Sequence, residues 1–137
     1  MDNLDVKSLI PHRGRMLLLD EVTSIDEVSA QGRYRVKGDE FFLDGHYPDK
    51  KIVPGAILCE MMAQLTAAFV GYTRKIPGIP ILAEIHNAKF KRLAFPGETL
   101  TIKMRAIKDS FRVLHAECEV YAEENLIAAA ELKIAVK

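Results

Sequence analysis

The chain has 137 residues, of which 49% are hydrophobic and 28% are charged, a balance typical of one soluble globular domain over residues 1–137. Lysine plus arginine equals aspartate plus glutamate at 19 each, so the zero net charge gives no support for nucleic-acid binding. The two cysteines form no CxxC pattern, and the first residues, MDNLDVKSLIPHR, do not have the pattern of a secretory signal. We therefore expect a reduced, cytoplasmic protein.

Two strands are predicted in the first third of the chain. Residues 16–23, MLLLDEVT, are rich in apolar side chains, and residues 29–37, SAQGRYRVK, alternate charged with apolar side chains. Residues 41–55 are rich in glycine and proline, which predicts a loop.

A buried helix is predicted over residues 55–70. Apolar side chains surround its whole circumference, which is typical of a helix enclosed by the rest of the fold. Pro54 suits the start of this helix, and Gly71 suits its C-terminal end. Glu60 and Gln64 interrupt the apolar run, so a membrane span is not expected.

The remaining chain predicts an antiparallel meander. Four strand-like segments lie at about 80–93, 99–107, 111–122 and 125–136, separated by turn-forming residues at 95–98, 108–110 and 123–125. A single buried helix needs a sheet that wraps around it, and this α+β arrangement of a long central helix and an antiparallel β-sheet is the hot-dog fold.

The central helix carries a short polar stripe. Glu60 and Gln64 are four residues apart and fall on one face of a helix that otherwise avoids polar groups. Buried polar groups are retained when they are hydrogen-bonded or functional, and a carboxyl group is costly to ionise in an apolar setting. Upstream, His46 lies in the glycine- and proline-rich loop and is suited to accepting a proton.

A third group completes a possible acid–base site. The backbone N–H of Gly55 is expected among the unpaired donors of the first helical turn, where it can polarise a carbonyl oxygen. The three groups suggest removal of a proton next to a carbonyl by His46, with Glu60 helping a hydroxyl at the adjacent carbon to leave as water. The alternative is that His46 is an ordinary loop residue, Glu60 faces solvent, and Gln64 merely satisfies Glu60.

The sequence resembles the beta-hydroxyacyl-(acyl carrier protein) dehydratases of type II fatty acid synthesis, in the branch with a glutamate on the helix. The resemblance is carried by LIPHRGRMLLLDEV (9–22), by FFLDGHYPDKKIVPGAILCEMMAQ (41–64), by AKFKRLAFPGETL (88–100) and by the C-terminal segment AECEVYAEENLIAAAELKIA.

The resemblance implies a hot-dog fold and a catalytic dyad of His46 and Glu60 contributed by two subunits. It also implies that the Gly55 N–H contacts the thioester carbonyl and that Gln64 supports Glu60. The reaction would be syn dehydration of a (3R)-3-hydroxyacyl thioester on acyl carrier protein to the trans-2-enoyl thioester, with no cofactor. A homodimer would be the smallest active unit, and a trimer of dimers is common in the family.

Two departures from the family pattern affect the loop beside the histidine. Tyr47, Pro48 and Asp49 follow His46 where phenylalanine, proline and glycine are usual, and Lys51 replaces a frequent proline. These changes bear on the acyl substrates accepted and leave the dyad in place.

A basic cluster of Lys89, Lys91 and Arg92 could steer an acidic carrier protein, although strand alternation alone explains its spacing. No histidine has a metal-ligand partner at suitable spacing, so no metal site is expected, and His12 is interpreted as a structural residue of the N-terminal turn. Cys59 is interpreted as core packing.

Two other functions remain open from the sequence. A hot-dog acyl thioesterase could use Glu60 to activate water, but it would not need His46 together with Gln64. A non-catalytic hot-dog subunit could pair with a catalytic homologue, although the intact pair of His46 and Glu60 argues against that function.

Overall fold

The computed structural model describes residues 5–44 and 50–137. Two α-helices are present, α1 at Val6–Leu9 and α2 at Gly55–Thr73, with short 3-10 turns at Gly14–Met16 and Phe41–Leu43. The strands are β1 at Glu21–Ile25, β2 at Ser29–Arg35, β3 at Pro80–Phe90, β4 at Thr99–Ser110, β5 at Val113–Ala122 and β6 at Asn125–Val136.

The strands form one six-stranded sheet in the order β1-β2-β4-β5-β6-β3, and every pairing is antiparallel. Strands β4, β5 and β6 follow one another as a meander, as predicted. Strand β3, which follows the helix in the chain, pairs with β6 at the far edge of the sheet. The sheet therefore places the strand after α2 as far as possible from the two strands before it.

Helix α2 is the centre of the core. Twelve of its residues, all between Leu58 and Val70, are buried, and they cover the whole circumference of the helix. The sheet supplies the facing surface because alternate side chains of each strand point inward, as Leu114, Ala116, Cys118 and Val120 do on β5. The structure confirms the predicted hot-dog fold, in which the sheet wraps around a long central helix.

The length and apolar composition of α2 would also allow it to cross a membrane, but 67% of that span is buried inside the fold. An apolar helix enclosed by its own domain is what a core helix requires.

The predicted strand at residues 16–23 is only partly correct. Strand β1 begins at Glu21, and the apolar residues before it, including Leu18 and Leu19, are buried without belonging to the sheet. The N–H of Leu18 donates to the side-chain oxygen of Gln64 at 2.8 Å instead of to a neighbouring strand. Burial of an apolar run therefore does not require a strand when a side chain satisfies its backbone.

The predicted end of the central helix at Gly71 is wrong, because α2 continues to Thr73. A Cβ atom at Gly71 would lie 2.7 Å from the carbonyl oxygen of Leu9, so glycine here permits α1 to pack closely against α2. The helix α1 itself was not predicted.

The predicted turn at 108–110 is also wrong. Strand β4 continues to Ser110, and the chain reverses at Phe111 and Arg112, where Arg112 has a positive φ of 59°. The turn between β5 and β6 is where the sequence predicted it, with Glu123 at φ 53°.

Candidate active site

The first turn of α2 exposes backbone donors. Pro54 precedes the helix in an extended conformation, and its carbonyl oxygen accepts the N–H groups of Ile57 and Leu58 at 3.0 and 3.2 Å. Gly55 is the first residue of the helix. Its N–H has no backbone acceptor in the part of the chain that the structure describes. The positive end of the helix dipole reinforces this donor, so it is suited to a carbonyl oxygen that gains negative charge.

The ring of Phe90 lies over Gly55. A Cβ atom at Gly55 would meet three ring carbons of Phe90 at 3.0 to 3.3 Å, although the phenylalanine is 51% exposed. Glycine therefore lets an aromatic side chain at the end of β3 close over the start of the helix. Phe90 was not predicted from the sequence, because its position opposite Gly55 depends on the pairing of β3 with β6 at the sheet edge.

Gln64 is the buried anchor of the polar stripe on α2. Its side chain is completely buried, its Oε1 accepts from Leu18 N–H at 2.8 Å, and its Nε2 donates to Met16 O at 2.7 Å and Glu60 Oε2 at 2.9 Å. The backbone N–H can only donate and the carbonyl can only accept, so the orientation of the amide is determined. One amide hydrogen must therefore point at Glu60.

Glu60 lies where the buried stripe meets the surface. Its side chain is 26% exposed, so it is less enclosed than the apolar sequence around it suggested. Ala56, one turn earlier on the same face, is exposed. The carboxylate is held on one side and open on the other, since the described residues supply no hydrogen bond to Oε1. The structure thus brings together Glu60 and Gln64 as predicted.

His12 also lies at this carboxylate. Its Nε2 is 3.4 Å from Glu60 Oε2, the same oxygen that accepts from Gln64. The sequence predicted a structural role for His12, because His12 and Glu60 are far apart in the chain and no local pattern connects them. The available signal was its position in the IPHR segment, close to the apolar residues that reach the core.

His46 lies outside the described residues, together with Tyr47, Pro48 and Asp49, so its catalytic role stays a prediction. The chain is anchored on both sides of this segment. Leu43 is buried before it, and after it the N–H of Val53 bonds the carbonyl of Ala94 at 2.9 Å. Lys51, which replaces a frequent proline, donates from Nζ to Gly38 O at 2.8 Å and so ties the loop to the end of the preceding strand region.

The cysteines do not form a nucleophilic site. Cys59 and Cys118 are both buried and free. Burial raises the pKa of the Cys59 thiol, and it raises the pKa of Cys118 to about 12. Both remain thiols near neutral pH, as core packing requires. Within residues 5–44 and 50–137, no group of three metal-ligating side chains comes together.

The three basic residues near the end of β3 differ in their surroundings. Lys89 and Lys91 are exposed. Arg92 instead donates to both carboxylate oxygens of Glu98, at 2.7 and 3.3 Å, and this pair lowers the pKa of Glu98. The charge of Arg92 is thus engaged within the chain, whereas the two lysines are available to solvent.

The described residues define a hot-dog protein in which Gln64 holds the Glu60 carboxylate near the first turn of the central helix. A family model described as "ApeP-like: ApeP dehydratase" matches residues 4–137. The chain therefore belongs to the ApeP-like dehydratase family, and the dehydratase class expected from its sequence motifs is confirmed.

Curated relatives include the 3-hydroxyacyl-(acyl-carrier-protein) dehydratase FabZ of Brucella ovis, 35% identical, covering 96% of this chain and 88% of the relative. The FabZ of Fusobacterium nucleatum is 32% identical and covers 99% of this chain and 97% of its own length. These near full-length matches confirm the resemblance to the hydroxyacyl dehydratases.

Solved structures share the fold. The dehydratase heterocomplex ApeI:P from Xenorhabdus doucetiae has a chain that matches with a TM-score of 0.87 at 22% identity, covering 98% of this chain and 91% of its own. A hypothetical thioesterase with coenzyme A from Streptococcus pneumoniae matches with a TM-score of 0.68 at 11% identity, covering 85% and 84%. At such identities the likeness shows the hot-dog architecture alone.

Proposed function

We propose that the protein catalyses the reversible syn dehydration of (3R)-3-hydroxyacyl groups on acyl carrier protein to trans-2-enoyl thioesters. The observation that carries the proposal is the Glu60 carboxyl, held through Oε2 by Gln64. Among the described residues, its Oε1 receives no hydrogen bond, and the N–H of Gly55, five residues earlier on the same helix, has no backbone acceptor. The pathway is type II fatty acid synthesis or a related route to polyenes or polyketides. The curated FabZ relatives act on the same class of acyl carrier substrate, as their names state.

Each group has one step in the proposed reaction. His46 takes the proton from C2, and the electron pair of that C–H bond forms the C2–C3 double bond. Glu60 gives a proton from Oε1 to the C3 hydroxyl, the C3–O bond breaks, and water leaves. The Gly55 N–H stabilises the negative charge that grows on the thioester oxygen. His46 then releases its proton to solvent and Glu60 takes one up, so one water is the net product and no cofactor is needed.

We further propose that a second hot-dog subunit completes the site. Strand β3 forms one edge of the sheet, and nine of its eleven residues are exposed, among them the apolar Ile81, Ile85 and Phe90. An unpaired edge with exposed apolar side chains is suited to pairing with another chain. A homodimer, assembled further as a trimer of dimers, is the simplest arrangement. The ApeI:P complex is a heterocomplex, so a different hot-dog chain is the other possible partner.

The carrier protein would approach at the exposed lysines near this edge. Lys89 and Lys91 are proposed to attract its acidic surface, with Arg92 contributing less because it is paired with Glu98. We propose the cytoplasm as the site of action, where acyl carrier substrates are made.

The test follows hydration of crotonyl-pantetheine by loss of ultraviolet enoyl absorbance while free thiol is titrated in the same sample. Hydration without thiol release, lost in His46→Ala and Glu60→Gln but kept in the exposed-turn variant Glu124→Gln, supports the proposal. Thiol release assigns the protein as a thioesterase. If neither signal appears alone or with carrier-protein substrate, the chain is a non-catalytic subunit.

Co-expression tests the shared site. A mixed dimer of His46→Ala and Glu60→Gln chains contains one site with both residues intact, so activity should return. Mixed dimers without activity would show that each site is built within one chain. Light scattering of the purified protein reports whether it is a monomer, dimer or hexamer before a second chain is added.

A further inference from the structure

The imidazole of His12 faces the carboxylate that the proposed reaction uses. Nε2 lies 3.4 Å from Glu60 Oε2, and the two side chains are 23% and 26% exposed. Nδ1 is buried and has no hydrogen-bond partner among the described residues. Among the described residues, the ring is therefore directed to a single polar group, which is Glu60.

The turn that carries His12 is held by a different residue. Arg13 donates from Nη1 to Ile10 O and His12 O, both at 2.7 Å, and from Nη2 to Lys7 O at 2.7 Å. These bonds close the end of α1 and fix the backbone around His12. The imidazole is not needed to order the turn, so its position at Glu60 has another cause.

The bonding capacity of the neutral ring determines the direction of this contact. A buried N–H without a partner is costly, so the hydrogen is expected on Nε2, where Glu60 can accept it. Gln64 donates to the same oxygen from its own Nε2. A second donor on Oε2, from His12, would leave Oε1 as the oxygen that can carry a proton.

We propose that His12 is a positioning residue of the dehydratase site, which orients Glu60 so that its acidic proton lies on Oε1, toward the substrate hydroxyl. This inference rests on the proposed function. During the reaction the proton passes from Oε1 to the C3 hydroxyl oxygen, and the donors on Oε2 stabilise the carboxylate that remains. At 3.4 Å the contact is long for a hydrogen bond, and such bonds commonly tighten when substrate binds.

The experiment compares three variants of the intact protein in the crotonyl-pantetheine assay. His12→Phe keeps a ring and removes the donor, whereas His12→Gln places an amide N–H near the position of Nε2. His115→Phe is the matched control, because His115 Nε2 lies 3.3 Å from Glu131 Oε1 with similar side-chain exposure, on the sheet away from α2. Values of kcat and KM are measured together with the melting temperature of each variant.

The expected result is a fall in kcat of about 10- to 100-fold for His12→Phe with KM within about threefold, as loss of orientation at a reacting group predicts. His12→Gln should recover most of the lost kcat, and His115→Phe should match the wild-type protein. A structural role would lower the melting temperature of both His12 variants and would show no recovery by glutamine.

Wild-type kcat in His12→Phe at an unchanged melting temperature would overturn this inference and leave the proposed dehydration intact. Equal losses in His12→Phe and His12→Gln would also overturn it, because the donor would then not be the relevant property. Absence of hydration by the wild-type protein, alone and with carrier-protein substrate, would overturn both proposals.

Discussion

Two histidine–glutamate pairs in this molecule look alike when measured by distance. His12 and Glu60 are 3.4 Å apart, and His115 and Glu131 are 3.3 Å apart. Their side chains have comparable exposure, between 23% and 34%. Distance and exposure alone therefore do not indicate which of the two carboxylates could take part in a reaction.

The surroundings of the two carboxylates differ. Glu60 projects from a buried helix, and behind it Gln64 is locked by the backbone of Met16 and Leu18. Glu131 lies in a strand of the sheet, where its Oε2 accepts from exposed Asn87 at 2.9 Å.

Glu131 also belongs to a network of surface charges. Glu117 is its partner in the register of β5 and β6, and nearby Lys133 pairs with Glu84 at 2.9 Å. Charges of this kind are solvated and exchange partners easily, so each pair contributes little to stability. The two regions differ in the rigidity of the group that donates to the carboxylate, which is the buried amide of Gln64 at Glu60 and the exposed amide of Asn87 at Glu131.

The largest effect is expected when the buried amide is removed. Gln64→Leu leaves the N–H of Leu18 and the carbonyl of Met16 without their partner, at a cost of about 2–4 kcal/mol in the free energy of unfolding. Glu60 also loses its donor, so kcat should fall by about 100-fold or more. Chemical denaturation and the enoyl hydration assay measure the two losses.

Thr66→Val is the matched control for this change. Among the described residues, Thr66 is the other fully buried polar residue of the core. Its hydroxyl donates to Met62 O on the same helix at 2.9 Å and lies 3.4 Å from Cys118 Sγ. Valine keeps its shape, and the Met62 carbonyl is already bonded within the helix, so we expect about 1 kcal/mol and normal kcat. Similar losses in both variants would show that any buried polar group of α2 matters equally.

A smaller effect is expected at the contact that places the His12 turn on α2. In Gly71→Ala the new methyl group would lie 2.7 Å from Leu9 O, so α1 must shift, at a net cost of about 1–3 kcal/mol. Helix propensity alone favours alanine by about 1 kcal/mol, so any net loss must come from the clash. The melting temperature should fall and kcat should fall several-fold, since α1 leads directly to His12. A more stable variant would contradict this packing.

The sequence was sufficient to predict the elements whose pattern is local. The all-round apolar residues of α2 and the alternation along β6 predicted the helix and the meander, and the spacing of Glu60 and Gln64 predicted their contact. These features depend only on the periodicity of the helix and the strand.

Features that depend on contacts between distant segments were not predictable in the same way. Leu18 is buried outside the sheet with its N–H bonded to Gln64, and Gly71 lies inside the helix at a position where a side chain would meet Leu9 O. His12 reaches Glu60 by the same long-range packing. In each case a contact between distant segments, and not the local pattern, decided the outcome.

Loss of an ion pair away from the site should lower the stability of the protein without changing its activity. The pKa of Glu98 is lowered by hydrogen bonds from Arg92 and from the N–H of Phe95. A lowered folded-state pKa gives stability that is present above the unfolded-state pKa and is lost as pH falls through the folded-state value. Glu98→Gln should therefore cost about 1 kcal/mol at pH 7 and progressively less as the carboxyl protonates below about pH 4.

Denaturation of the wild-type protein and of Glu98→Gln at neutral and acidic pH measures the difference in their free energies of unfolding. Glu124→Gln in the exposed β5–β6 turn serves as the control. The value of kcat should stay at the wild-type level throughout, since Glu98 contacts neither Glu60 nor Gln64. A difference in stability that does not change with pH would show that the ionised carboxylate is not the stabilising form.

The smallest effect is expected at the pair of His115 and Glu131. Glu131→Gln keeps an oxygen that can accept from Asn87 and removes only the charge facing His115, so the free energy of unfolding should change by less than about 0.5 kcal/mol. It also relieves the like charge of Glu117 across the strands, which offsets part of the lost attraction. We expect kcat within about twofold of the wild-type value, against a loss of about 1,000-fold for Glu60→Gln if the carboxyl transfers the proton. Equal losses in the two variants would mean that the buried amide behind Glu60 does not distinguish the pairs, and the site would have to be sought on the sheet.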